Sequence, residues 1–144
     1  MSWFVKPEET RIDLSGGQWL QVRKYLTAGE TRRQFRRMAR IGANGREEID
    51  PLRVELSRAV AYLLEWSLTD DNGKHLSLRG LADDQIESYL EQLFPEKLGE
   101  ILAAIERHED AGDAEKKILN GVPTSSPTLQ SPDISVGGTN GSVN

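Results

Sequence analysis

Between Leu52 and Leu64 the residues Leu52, Leu56, Ala59, Val60, Leu63 and Leu64 recur at helical spacing, and no other stretch of the chain is as apolar. That period predicts an α-helix with one face against a core. Asp50-Pro51 just before it supplies a start signal: an N-cap residue followed by proline at the first helical position. The run ends near Trp66, and Asp70-Asp71-Asn72-Gly73 then reads as a turn. This helix is the expected centre of the core.

Other elements are placed around it by local cues. Residues 10–25 alternate apolar and polar on either side of Ser15-Gly16-Gly17, which predicts a β-hairpin. Trp3, Phe4 and Val5 are expected to add an edge strand. Thr27 and Glu30 form a capping box for a helix over about 28–41, ended by Gly42 and Asn44-Gly45. On a helical wheel, Ala28, Thr31, Phe35, Met38 and Ala39 share one face, and Arg33, Arg36, Arg37 and Arg40 the other. Asp83 or Asp84 caps a third helix carrying Ile86, Tyr89, Leu90 and Leu93. Pro95 opens a fourth, carrying Leu98, Ile101, Leu102 and Ile105, that frays after Arg107 or continues to Leu119.

Residues 120–144 differ in kind. Eighteen of these 25 residues are Gly, Pro, Ser, Thr or Asn, and Asp133 is the single charge. Such a segment buries too little apolar surface to offset its ordering entropy. The expected organisation is therefore a mainly α domain over 1–119, with about four helices and an N-terminal hairpin, and a disordered tail over 120–144.

Several chemistries are excluded by composition. The chain has no cysteine, so disulfides, thiolate catalysis and zinc–thiolate sites are ruled out. Aligning Gly73 with the obligatory glycine of a calcium loop puts Leu68 and Arg79 where carboxylates are needed. His75 and His108, the two histidines, lie in no metal-ligand spacing. No Gly-x-Ser-x-Gly elbow or phosphate loop is present. The expectation is a protein with no catalysis, no metal and no cofactor. No apolar run approaches the roughly 18 residues of a membrane helix. The first residues turn polar too soon for a signal peptide, so a cytosolic protein is expected.

Charge is unevenly spread. Residues 23–46 carry eight basic side chains and one acid, net +7, whereas residues 60–144 are net −9. Arg32, Arg33, Arg36, Arg37 and Arg40 are the candidate partner-binding residues. Three readings stand for them: a solvated face paired with the chain's own acids, a docking face for an acidic protein, and a phosphate-binding face. Nucleic acid ranks last, because the arginines are not interleaved with aromatics on the same face.

Three blocks of sequence resemble a known class. The first is Trp3, then Asp13-Leu14-Ser15-Gly16-Gly17 with Trp19, Val22, Lys24 and Leu26-x-x-Gly29-Glu30. The second is Tyr62-Leu63-Leu64-Glu65-Trp66-Ser67-Leu68 with Asp71-x-Gly73-Lys74. The third is Ala103-Ala104-Ile105-Glu106-Arg107-His108-Glu109 with Ala114-Glu115-Lys116-Lys117. Over residues 3–119 the pattern is similar to the tail assembly chaperones and minor tail-module proteins of long-tailed bacteriophages. The resemblance implies a mainly helical protein in the host cell cytoplasm that binds the tape measure protein and helps recruit tail tube subunits. Two alternatives are a structural virion component (connector, tail-completion or capsid-associated protein) and a nucleic-acid-binding regulator.

Overall fold

The structure is a computed structural model that describes residues 2–119. The described residues fall in two units, divided between Glu109 and Asp110. The expected tail at 120–144 lies outside the described residues.

The hairpin forms as the alternation predicts. Strands β1 (Glu9–Asp13) and β2 (Trp19–Arg23) pair antiparallel, with Ile12 opposite Leu20 and Thr10 opposite Val22. Gly16 and Gly17 connect them at φ of 68° and 76°, a left-handed backbone that residues with a Cβ rarely adopt. The turn is pinned from outside. Glu100 accepts the Ser15 backbone N–H at 2.7 Å and the Ser15 hydroxyl at 2.8 Å.

Helix α1 (Ala28–Met38) starts at the expected capping box. Thr27 Oγ1 accepts the Glu30 N–H at 3.1 Å, and the Glu30 carboxylate accepts the Thr27 N–H at 2.9 Å. The helix stops three residues short of the expected end. Ala39–Ile41 leave it as strand β3, which pairs antiparallel with β4 (Glu47–Ile49) across a tight turn at Gly42–Arg46. The physical cause is the Asn44-Gly45 dipeptide, a strong hairpin signal. Gly45 has φ of 78°, and the Gly42 N–H donates to the Arg46 carbonyl at 2.7 Å.

The apolar helix is also shorter than its period suggests. Helix α2 covers Val54–Tyr62 after a 3-10 turn at Pro51–Arg53. Leu63–Trp66 then form strand β5, which pairs antiparallel with β2: Leu20 faces Trp66 and Val22 faces Leu63. A short apolar run fits a buried strand and a helix equally well by periodicity, and here β2 supplies the hydrogen-bond partners. The sheet order is β1-β2-β5. Trp3, Phe4 and Val5 form no strand; the first two are almost fully exposed.

Helices α3 (Asp83–Glu91) and α4 (Pro95–Leu119) lie where expected. Ala82, rather than either aspartate, is the N-cap of α3, and its N–H is taken by the Gln85 side chain at 3.2 Å. The architecture is thus mixed α/β, four helices with small sheets, rather than mainly α. The difference comes from residues 39–41, 47–49 and 63–66, which bond across strands. The core joins Leu20 and Val22 of β2, Val60 of α2, Leu63 and Trp66 of β5, Leu90 of α3 and Ile105 of α4.

Candidate partner-binding surface

The arginine stripe separates into two groups once α1 is seated. The half-buried or buried face of α1 is Glu30, Thr31, Gln34, Arg37 and Met38, spaced as one helical face requires. It is a mostly polar face, about one residue out of register with the apolar face the wheel suggests. Phe35, grouped by the wheel with Met38 on one face, is 55% exposed.

Arg37 turns inward and is held by the chain's own acids. Its Nη1 lies 2.8 Å from Asp84 Oδ1, and its Nη2 meets Glu87 Oε1. Arg53 reaches the same Glu87 from the start of α2, with Nη2 at 2.8 and 2.9 Å from the two carboxylate oxygens. Arg53 Nε also donates to the Arg37 carbonyl at 2.9 Å. Burial disfavours the Arg37 charge, but the hydrogen bonds it donates to Asp84 and Glu87 outweigh it and hold its pKa above the usual arginine value. Arg33 lies 3.6 Å from Asp83, and Arg40 lies 3.8 Å from Glu48 across the β3–β4 pair. These three arginines tie the fold to itself.

Arg32 and Arg36 are different. Both are exposed, one turn apart, and neither has an ion-pair or hydrogen-bond partner among the described residues. Phe35 stands between them. The register of β3 and β4 puts Ala39, Ile41, Glu47 and Ile49 on one face of the hairpin. Ile41 is 70% and Ile49 48% exposed. Arg32, Phe35, Arg36, Ala39, Glu47, Glu48 and Ile49 line one shallow depression of about 240 Å³. The result is an apolar strip with two cations on the α1 side and two carboxylates on the β4 side, of which Glu48 is paired with Arg40.

Of the five candidate arginines, the structure therefore brings Arg32 and Arg36 together on an open surface. Its apolar half was missed by the wheel. The Asn-Gly turn between Ile41 and Ile49 was the cue that places both isoleucines on a hairpin.

Glu65, His75 and His108 have structural partners. Glu65 of β5 is buried and accepts hydrogen bonds from the Leu78 N–H at 2.8 Å, the Ser77 hydroxyl at 2.7 Å and the Trp66 N–H at 3.2 Å. Burial works against its charge; these donors, with His75 nearby, prevail and hold its pKa below the usual carboxylate value. His75 and His108 each place Nε2 against a backbone carbonyl, that of Trp66 at 2.6 Å and that of Arg23 at 2.8 Å. A carbonyl only accepts, so each Nε2 carries a proton. Among the described residues no group of three or more His, Asp or Glu is placed to hold a metal ion, and no helix is long and apolar enough to cross a membrane.

Comparison with known proteins gives no match, whether to a protein-family model, to a curated protein or to a solved structure.

Proposed function

We propose that the chain is a non-catalytic binding protein that holds an amphipathic helix of another protein, in the manner of the phage tail assembly chaperones its sequence resembles. The observation that carries this reading is the exposed strip of Phe35, Ile41 and Ile49 beside the unpaired Arg32 and Arg36. Exposed apolar residues gathered on one face favour a partner that covers them. A helix with apolar residues at i, i+3 and i+4 would lay its stripe along Phe35 and Ile49. Acidic residues on one flank of that helix would meet Arg32 and Arg36, and a basic residue on the other would meet Glu47.

The tape measure protein, long and helical, is the proposed partner, with tail tube subunits recruited to the complex in the host cytoplasm. The test is co-expression with the tape measure protein. A soluble complex that is lost in the R32E/R36E variant and in F35S supports the reading. Separate purification of both proteins, with no association on size exclusion, overturns it.

A further inference from the structure

Two turns of this chain carry the same dipeptide in nearly the same backbone and differ in one hydrogen bond. Asn44-Gly45 lies in the turn of the β3–β4 hairpin, and Asn72-Gly73 in the turn closed by the Thr69–His75 bridge. Gly45 has φ of 78° and Gly73 of 80°. Each glycine N–H donates at 3.0 Å to the carbonyl three residues back, that of Gly42 and that of Asp70. All four residues of the two dipeptides are exposed, so water reaches both. The carboxamides differ. Asn44 Oδ1 accepts the Arg46 N–H at 3.0 Å. The equivalent donor in the other turn, the Lys74 N–H, is taken by Asp70 Oδ1 at 2.9 Å, and the same oxygen accepts the Asn72 N–H at 2.9 Å. The Asn72 carboxamide has no hydrogen-bond partner among the described residues.

We propose that Asn44 is a self-modification site, an asparagine that this fold prepares to deamidate ahead of Asn72. The Gly45 nitrogen, deprotonated by hydroxide, attacks Asn44 Cγ. The new N–C bond closes a five-membered imide, the Cγ–Nδ2 bond breaks, and ammonia leaves with a proton taken from water. One water then opens the imide to aspartate or isoaspartate, and nothing is oxidised or reduced. Negative charge gathers on Oδ1 as the nitrogen adds, and a donor already aimed at that oxygen lowers the barrier. The Arg46 N–H is such a donor, and the hairpin holds it in place: the Gly42 N–H donates to the Arg46 carbonyl at 2.7 Å. An Oδ1 bonded to the N–H two residues on also folds the carboxamide over the intervening peptide, whose nitrogen is the attacking atom. At Asn72 the charge would develop without that donor and near the Asp70 carboxylate. Glycine puts no Cβ in the path of attack in either turn, so the dipeptide alone does not discriminate. The product adds a negative charge close in sequence to Glu47 and Glu48, and isoaspartate lengthens the main chain by one atom between Ile41 and Ile49. The chemistry does not depend on what Ile41 and Ile49 bind.

The test is incubation of the full chain in mildly alkaline buffer, then brief trypsin digestion and mass spectrometry of two peptides, Ile41–Arg46 and Ala59–Lys74. A parallel incubation in concentrated urea removes the hydrogen bonds and leaves the sequence as it is. In the native chain Asn44 should convert about fivefold faster than Asn72, the factor that one exposed hydrogen bond contributes to a rate. In urea that ratio should fall toward one. Equal native rates, or a faster Asn72, overturn the proposal. A ratio that urea leaves unchanged also overturns it, because the preference then belongs to the local sequence and not to the fold. So does an Asn44 that stays intact in the native chain while the denatured chain converts.

Discussion

Arg53 Nη2 lies 2.8 Å from Glu87 Oε1, and Arg37 meets that same carboxylate oxygen from α1. One buried glutamate of α3 thereby joins the end of α1 to the start of α2. Its side chain is 11% exposed and that of Arg37 16%. Removing the carboxylate leaves two guanidinium groups in a partly dry site with Asp84 as the nearest acid. Glu87→Ala is expected to destabilise the fold by about 3 kcal/mol, since breaking one side of a buried pair strands the other charge. Urea denaturation measures this. Arg33→Ala, which loses an exposed contact to Asp83, should change stability by at most about 1 kcal/mol.

Glu65 makes acid stability depend on one strand. Its folded pKa lies below the ordinary 4.5, so its contribution is complete at neutral pH. That contribution is lost as pH falls from about 4.5 through the lower folded value, where the carboxylate takes up a proton and no longer accepts as strongly from Leu78, Ser77 and Trp66. Glu65→Gln should lower stability at pH 7 by about 1–3 kcal/mol. Its difference from the parent should shrink as the pH is taken below 4.5. Thermal melts across that range check both statements; a difference that stays constant with pH would show that the charge is not what the site uses.

Ser57 offers a stabilising substitution. It is 1% exposed in the middle of α2, and its hydroxyl has no hydrogen-bond partner among the described residues. An unpaired buried hydroxyl costs about 1–3 kcal/mol, and alanine is the better helix former. Ser57→Ala should raise the melting temperature by about 4 °C, as a gain of ~1 kcal/mol does in a domain of this size. A lower melting temperature would contradict this description of the α2 core face.

The hairpin turn is held by Glu100, whose pKa is lowered by the Ser15 N–H and hydroxyl it accepts. Gly17→Ala forces a side chain onto a residue at φ of 76° and should cost about 1 kcal/mol. Nothing lies within 4 Å of the added Cβ, so the cost is one of backbone conformation alone. Equal stability of G17A and the parent in denaturant would contradict that.

How much of this was readable beforehand depends on whether a segment's partners are local. The β1–β2 hairpin, the Thr27/Glu30 cap, α3 and the Pro95 start were legible because each is specified by neighbours in sequence. Leu63–Trp66 was not, because its strand character is set by β2, some forty residues away, and its buried residues continue a helical period. The inner face of α1 was misread for a related reason. Arg37 is buried by pairing with Asp84 and Glu87, and no wheel of α1 alone contains those acids. The same wheel grouped Phe35 with the buried Met38, so the candidate surface was legible in its charge and not in its apolar half.

Arg32, Phe35, Arg36 and Ile49 are proposed to hold a partner helix. The most direct measurement of this is the affinity of the purified chain for the tape measure protein's amphipathic segments, by titration calorimetry, for the parent and for R32E/R36E. Binding should weaken with salt and fall at least about tenfold in the variant, while the variant's melting temperature stays within a few degrees of the parent. Equal affinity of the parent and R32E/R36E would contradict it.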